Sequence, residues 1–236
     1  MNAESRVAVL DLGLVPYVAA WDLQKELAAA RARGEIADTL LLLQHPHTYT
    51  LGTRGKREHL LVPEEQLREQ GVEVLDVDRG GDITYHGPGQ LVGYPILKLK
   101  EAGLGVVRYI RLLEEVLVCV AAGYDLAAGR QRGYTGVWVG DRKLAAIGTK
   151  VDTLGITCHG FALNVSADLR YFDNIVPCGI RDKGVCSLES LLQYSVEMSE
   201  VIEGTAQAFE DVWGARRAMG QSPAEQQPRS PMVEAL

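Results

Sequence analysis

The sequence lacks the features that mark secreted, membrane-spanning and zinc-binding proteins. Its N-terminus has no basic flank followed by a long apolar stretch, and its longest apolar run, residues 116–122, is far too short to span a bilayer. No Cys-x-x-Cys pair occurs among its four cysteines, which are Cys119, Cys158, Cys178 and Cys186. The sequence therefore predicts a cytoplasmic protein with free thiols, no membrane association and no metal site.

An excess of positive charge is also absent. The chain has 24 Lys and Arg against 31 Asp and Glu, a net charge of -7, and this argues against a broad nucleic-acid footprint. With 236 residues, of which 47% are hydrophobic, it has the composition of an ordinary globular protein with a sizeable core. We expect a single domain over residues 1–214 and a tail over residues 215–236, whose Gln-, Ser- and Pro-rich part predicts disorder.

Hydrophobic periodicity predicts an α+β domain. Apolar residues from Val106 to Val120 recur at helical spacing and end at Gly123, a second helix follows Pro16, and Ser199 can cap a third. Strands are predicted at residues 6–12, 39–43, 72–77, 137–139, 144–151 and 161–165. Because Gly140-Asp141 is typical of a tight hairpin, the pattern indicates a mixed or antiparallel sheet with helices packed on it.

A glycine-rich stretch at residues 79–90 carries several hydrogen-bonding side chains. It reads Arg-Gly-Gly-Asp-Ile-Thr-Tyr-His-Gly-Pro-Gly-Gln, which is neither a Walker loop nor the Gly-x-Gly-x-x-Gly fingerprint of dinucleotide sites. Glycine lets the backbone approach a ligand closely. The stretch therefore predicts a ligand-binding loop, and a purely structural turn is the alternative.

Cys178 lies between Pro177 and Gly179, a setting that favours an accessible thiol in a turn. A thiol is mostly protonated at neutral pH, so a catalytic cysteine needs a cation or a base beside it. Lys143 is the candidate, because it opens the apolar strand Lys-Leu-Ala-Ala-Ile-Gly, where period-2 alternation would place it on the face of Ala145 and Ile147. On local sequence alone, a turn cysteine and a solvated hairpin lysine stay open as alternatives.

His159 follows Cys158, but neighbours in a strand point to opposite faces, so we exclude a Cys158–His159 dyad. The tripeptide His-Gly-Phe at residues 159–161 predicts a pocket wall, in which glycine makes space and phenylalanine supplies apolar surface. A structural histidine is the alternative.

Four ordered motifs together resemble the octanoyltransferase family, over roughly residues 5–213. They lie at residues 79–95, 143–148, 159–164 and 177–180. The resemblance implies a fold shared with biotin and lipoate protein ligases, an acyl-thioester nucleophile at Cys178, and a lysine, Lys143, that lowers its pKa. It also implies acyl-substrate contacts at Arg79, Gly80, Gly81, Asp82, Ile83, Thr84, Tyr85, His86, Ala146, Ile147, Gly148, His159, Gly160 and Phe161. One departure is Cys186 before Ser187-Leu188, where the family usually has threonine.

The resemblance also implies the reaction and its partners. An octanoyl group would pass from octanoyl-acyl carrier protein, through a cysteine thioester, to a lysine ε-amine of the lipoyl domains of 2-oxoacid dehydrogenase complexes or of glycine cleavage H protein, without a cofactor. Because acyl carrier proteins are acidic as a family, we expect a basic docking surface, with Arg54, Lys56, Arg57 and Arg142 as candidates.

Two rival functions remain. An ATP-dependent lipoate or biotin ligase would share the fold but would need no nucleophilic cysteine. A non-catalytic acyl-lysine binding module would leave both Cys178 and Lys143 unexplained.

Overall fold

The computed structural model describes residues 7–176 and 183–220. The first half of the chain forms β1 (Ala8–Leu14), α1 (Tyr17–Arg33), β2 (Thr39–Gln44), β3 (Thr48–Leu51), α2 (Glu64–Glu69), β4 (Glu73–Asp76), β5 (Ile83–His86), β6 (Gln90–Ile96) and α3 (Val106–Ala122). The second half forms β7 (Gly129–Gln131), β8 (Tyr134–Val139), β9 (Arg142–Val151), β10 (Thr157–Asn164), β11 (Gly184–Val185), α4 (Leu188–Leu192) and α5 (Met198–Gly220). Three short 3-10 turns lie at Arg57–His59, Leu99–Ala102 and Leu169–Asn174.

Within the described residues the strands form two sheets. The main sheet has eight strands, in the order β1-β2-β6-β10-β9-β8-β7 with β11 added beside β9, and the small sheet has three, in the order β4-β3-β5. The main sheet is mixed, because β1 pairs with β2 and β11 with β9 in parallel while the other pairs are antiparallel. The predicted α+β class with a mixed sheet is confirmed.

Both faces of the main sheet are covered. One face packs on α3 and α5 in the largest apolar cluster, which includes Leu42, Leu163 and Phe209. The opposite face packs on α1 in a smaller cluster that includes Ala20 and Ala162. The small sheet has its own apolar core. Because burial of apolar surface supplies most of the driving force for folding, the large cluster under α3 is the main source of stability.

Several sequence predictions can be compared with these elements. The helix from Val106 and the hairpin at Gly140-Asp141 are confirmed, since α3 ends at Ala122 and β8 pairs antiparallel with β9. The stretch at residues 79–90 is not a continuous loop, because its middle forms β5 and pairs with β3. The helix α5 continues past Gly214 to Gly220, so the predicted tail begins too early, and residues 221–236 lie outside the described residues.

A β-bulge lies at the start of β9. Trp138 pairs with Lys143, but its neighbour Val137 pairs with Ala145, so Leu144 is an extra residue on β9. Consecutive residues of β8 point to opposite faces, and therefore Lys143 and Ala145 do as well. The bulge therefore interrupts the alternation that the sequence predicts for Lys143, Ala145 and Ile147.

The two sheets meet where the turn at Gly80 lies over Gly148 of β9. The Gly80 amide donates a hydrogen bond to the Thr149 carbonyl at 2.9 Å, and a Cβ atom at position 148 would lie 2.8 Å from the Gly80 carbonyl oxygen. Real Cβ atoms essentially never approach so closely. Glycine at position 148 is therefore what allows the turn to rest on the main sheet.

No helix in the described ranges 7–176 and 183–220 combines the length and the apolar composition needed to cross a bilayer.

The contact at Gly148 leads to a stability prediction. Gly148→Ala should lower the free energy of unfolding by about 1–3 kcal/mol, because the added methyl group meets backbone that can move only with the whole turn. Gly129→Ala is the matched control: its Cβ would meet nothing within 4 Å, so the stability should be unchanged or slightly higher. Urea unfolding of both variants measures the difference, and equal midpoints would contradict the proposed clash.

Candidate active site

An apolar pocket lies between the main sheet and the turn at residues 79–82. About 460 Å³ of space free of atoms lies within it, counted to its open mouth and including solvent there. The lining residues are Tyr17, Arg79, Gly80, Gly81, Asp82, Thr84, His86, Tyr94, Ala146, Ile147, Gly148, His159, Gly160, Phe161 and Ala162. Strands β9 and β10, β5 and the first turn of α1 therefore all contribute to one cavity.

Three segments that sequence analysis singled out meet in this pocket, and the structure adds residues that it missed. Tyr17, Tyr94 and Ala162 were not among the predicted contacts. Ala162 follows the His-Gly-Phe tripeptide and pairs with Ala146 across β9 and β10. Tyr17 comes from α1, and only the tertiary packing of that helix brings it to the pocket, so no local signal could have identified it.

Ile83 and Tyr85, which were predicted to contact the substrate, do not line the pocket. Both side chains are fully buried in the core of the small sheet. Since successive side chains of a strand alternate between faces, Thr84 and His86 turn toward the pocket while their neighbours turn away. Of the predicted contacts in β5, Thr84 and His86 therefore line the pocket, and Ile83 and Tyr85 belong to the core of the small sheet.

Buried hydrogen bonds fix the turn at residues 79–82. The guanidinium of Arg79 donates to the carbonyl and the hydroxyl oxygens of Thr50, at 2.6 and 2.8 Å from Nη2. Asp82 accepts from the amide of Ile83 at 2.7 Å and lies 2.5 Å from Nδ1 of His59. These bonds fix the turn to β3 and to the 3-10 turn at Arg57–His59, so this wall of the pocket is anchored to the small sheet.

A chain of hydrogen bonds runs along the inner wall of the pocket. Nε2 of His159 lies 2.7 Å from Oδ1 of Asp78, and Nδ1 of the same ring lies 3.4 Å from the hydroxyl of Tyr17. His159 also has a positive φ of 55°, a conformation that is uncommon for a residue other than glycine. Burial lowers the pKa of His159 and raises that of Tyr17 to about 12, so both groups are neutral at pH 7. This arrangement agrees with the exclusion of a Cys158–His159 dyad, because both ring nitrogens of His159 face Tyr17 and Asp78.

Two more buried histidines belong to this region: His86 lines the pocket, and His45 packs behind the wall against Tyr17, Tyr94 and His86. Nδ1 of His45 lies 2.7 Å from the carbonyl oxygen of Val15, so it carries the proton, and Nε2 accepts from the hydroxyl of Tyr94 at 2.7 Å. Burial lowers the pKa of His45 to about 4 and that of His86 far below its usual range. The histidines in and behind this wall are therefore neutral, and the charged groups of the lining, Arg79 and Asp82, lie in the turn at residues 79–82.

Lys143 lies in a second, larger cleft beside the pocket. The amine-bearing side chain is only 9% exposed, and the cleft encloses about 1310 Å³ of empty space. Both cavities share the walls formed by Gly80, Gly81 and Asp82 and by Ile147 and Gly148. The solvated hairpin lysine is thus excluded, because the side chain is nearly buried and lines the larger cleft.

Cys178, the predicted nucleophile, lies outside the described residues. The three cysteines that the structure does describe are poor nucleophiles or distant from the clefts. Burial raises the pKa of Cys158 and of Cys186 to about 11, and the Cys186 thiol is fully buried and donates weakly to the carbonyl of Arg142 at 3.6 Å. Cys119 lies near the end of α3 and lines neither cleft.

Comparisons with known proteins give the chain its family. Residues 16–210 match the family described as lipoyl protein ligase A/B catalytic domain. An octanoyltransferase of Chloroflexus aurantiacus is 53% identical over 194 residues, which cover 81% of this chain and 87% of that protein. An octanoyltransferase of Rubrobacter xylanophilus is 50% identical over 219 residues, covering 91% and 98%. The chain belongs to the octanoyltransferase family.

Solved structures confirm the fold predicted for an octanoyltransferase. A lipoate-protein ligase A bound with ATP has a TM-score of 0.72 at 16% identity, covering 94% of this chain and 95% of that chain. A biotin protein ligase from Aquifex aeolicus has a TM-score of 0.50 at 11% identity, covering 89% and 71%. At these identities the likeness concerns the fold alone.

The octanoyltransferase fold holds no evident metal centre in the part described. Across residues 7–176 and 183–220, no three His, Cys, Asp or Glu side chains converge as metal ligands would. The histidines of the pocket wall bind tyrosine, glutamine, aspartate and backbone groups instead.

The neutral histidine wall predicts a loss of stability in mild acid. His45 has a pKa of about 4 in the folded state and about 6.5 when unfolded, so its contribution is present above pH 6.5 and is lost as the pH falls toward 4. The full contribution is about 3 kcal/mol. His45→Gln should flatten the decline of urea stability between pH 6.5 and 4.5. Parallel curves for the wild type and the variant would contradict this assignment.

Proposed function

We propose that the chain transfers an octanoyl group from octanoyl-acyl carrier protein to lysine ε-amines of lipoyl domains, through a thioester on Cys178. The observation that carries the proposal is the position of Lys143, a buried amine in a cleft that shares its walls with an apolar pocket. The pocket would hold the acyl chain, and the cleft would admit the arm of the carrier protein and later the acceptor lysine.

Acylation needs one proton transfer. The thiolate of Cys178 attacks the thioester carbonyl carbon, a new carbon–sulfur bond forms, and the bond to the carrier's pantetheine sulfur breaks. The ammonium of Lys143 first stabilises the thiolate and then gives its proton to the leaving pantetheine sulfur. The acyl-enzyme and a neutral Lys143 result.

Transfer reverses the proton flow. The neutral ε-amine of the acceptor lysine attacks the acyl-enzyme, a carbon–nitrogen bond forms and the bond to Cys178 breaks. Neutral Lys143 takes the excess proton of the attacking nitrogen, which restores the ammonium and thiolate for the next cycle. The thioester supplies an activated acyl group, so neither step requires a nucleotide.

The course of the chain supports Cys178 as the nucleophile. On one side of residues 177–182, the amide of Val176 donates to the carbonyl of His59 at 2.8 Å. On the other side, Val185 pairs with Lys143, and the amide of Cys186 donates to the Lys143 carbonyl at 3.0 Å. The residues on either side of this segment are thus fixed, Val176 beside the 3-10 turn at Arg57–His59 and Val185 and Cys186 beside Lys143, and the proposal places Cys178 between them.

The candidates for the carrier-binding surface differ in their surroundings. Lys56 pairs with Glu58, and Arg57 pairs with Glu64 and Asp76, so their charges are partly balanced within the chain. Arg54 lines the larger cleft and Arg142 is exposed beside Lys143. Of the four, Arg54 and Arg142 therefore suit an acidic partner best.

The nucleophile can be identified by substitution. Cys178→Ser should abolish both the octanoyl adduct and transfer, because an alcohol beside a lysine is a far weaker nucleophile than a thiolate. Cys186→Ser is the matched control and should retain most activity, since that thiol is buried and has a raised pKa. Intact-protein mass spectrometry after mixing with octanoyl carrier protein detects the adduct. An adduct that maps to Cys186 or Cys158, or an ATP-dependent adenylate, would overturn the assignment.

Substitution of Lys143 separates its two roles. Lys143→Arg keeps a positive charge but cannot release a proton near neutral pH, so it should form acyl-enzyme and pass the acyl group on about 100-fold more slowly. Lys143→Ala should also slow acylation and move its pH dependence upward, because the thiolate loses its stabilising cation. Single-turnover measurements of adduct formation and decay resolve the two steps. Wild-type rates in the alanine variant would remove Lys143 from the mechanism.

A further inference from the structure

The ring of Trp138 lies directly against the amine of Lys143. Nζ of Lys143 is 4.8 Å from the ring centroid, and the bulge at Leu144 is what makes the two residues cross-strand partners. Both side chains are nearly buried, with exposures of 3% for Trp138 and 9% for Lys143. A cation over an aromatic face is attracted by the ring quadrupole, and the attraction is strongest for tryptophan and grows when the pair is shielded from water.

The surroundings of this pair fix its geometry. The ring of Tyr134 lies 5.7 Å from that of Trp138, and Gly136, which has no side chain, leaves room beside the stem of Lys143, whose Cε would lie 3.6 Å from a Cβ there. The carboxylate of Glu114 on α3 accepts from the Gly136 amide at 3.2 Å. The stem of Lys143 thus lies beside β8, and Glu114 of α3 anchors that strand at Gly136.

Tryptophan at position 138 carries a cost that phenylalanine would avoid. Its indole N–H is buried, and within residues 7–176 and 183–220 no acceptor lies within hydrogen-bond distance of it. A buried donor without a partner lowers stability. The indole at this position is therefore better explained by its contact with the amine of Lys143 than by packing alone.

From these observations we propose that Trp138 is a positioning residue for Lys143, which holds the amine at the larger cleft and favours its ammonium form. This inference rests on the proposed function of Lys143. In the acylation step the ammonium stabilises the thiolate and protonates the leaving sulfur, so a ring that favours the ammonium assists acylation directly.

Among the described residues, Arg54, Asp82 and Tyr134 also line this cleft, and Glu114 contacts the strand beside it. Asp82 is bound to His59, and Glu114 accepts from Arg111 and Arg130 at 2.6 and 3.0 Å. These two carboxylates therefore bind other donors.

Two substitutions at Trp138 and one control test the proposal. Trp138→Phe keeps a weaker ring face, and Trp138→Leu removes it. We expect single-turnover acylation on the acidic side of its pH profile to fall by about 2- to 3-fold for phenylalanine and about 10-fold for leucine, with the midpoint of the profile moving upward in that order. Trp213→Phe is the control, because it removes a buried indole that donates to Asp38 at 3.1 Å and lies in the large core. Trp213→Phe should lower thermal stability and leave the pH profile of acylation unchanged.

A direct titration separates this inference from the proposed function. Lysine Nζ resonances recorded by NMR, with the Lys143 signal identified by its loss in Lys143→Arg, report the amine whether or not acyl transfer occurs. We expect the Lys143 amine to lose its proton at lower pH in Trp138→Leu than in the wild type, with Trp138→Phe between them. Unchanged titration in both variants would overturn the role of Trp138. Absence of any acyl-enzyme in the wild type, with the titration shifted as expected, would overturn the proposed function and leave the contact between Trp138 and Lys143 established.

Discussion

The close approach of Gly80 to Gly148 is the contact on which both cavities depend. It joins the turn at residues 79–82 to β9 through one backbone hydrogen bond, and no side chain fits between them. The same turn closes the apolar pocket on one side and the larger cleft on the other. Arg79 and Asp82 then secure it to the small sheet, so the geometry of the site follows from the docking of one sheet on the other.

The two cavities differ in their electrostatics, and the difference follows from burial. In and behind the pocket wall, His45, His86 and His159 have lowered pKa values, because burial disfavours the charged form of the ring. Hydrogen bonds to neutral or oppositely charged partners satisfy most of their nitrogens. In the larger cleft, Lys143 faces an aromatic surface that favours a cation. An apolar pocket with neutral histidines and a cleft that holds a lysine amine thus lie side by side and share a wall.

Local patterns were sufficient to predict much of this molecule. The spacing of apolar residues predicted α3, and Gly140-Asp141 predicted the hairpin. The sequence motifs predicted the family and most of the residues that line the pocket. The failures discussed next depended on how one segment pairs or packs with another. The bulge at Leu144 arises from pairing with β8, the division of residues 83–86 between pocket and core arises from pairing with β3, and Tyr17 reaches the pocket only because α1 packs on the main sheet.

The shared wall has a thermodynamic consequence. Gly80, Gly81 and Asp82 line both cavities, so a displacement of this turn that widens one cavity narrows the other. A ligand that displaced the turn from one cavity would change the affinity of the other cavity, and coupling between two binding equilibria is reciprocal. Whatever factor a ligand in the pocket imposed on the affinity of the cleft, a ligand in the cleft would impose on the affinity of the pocket.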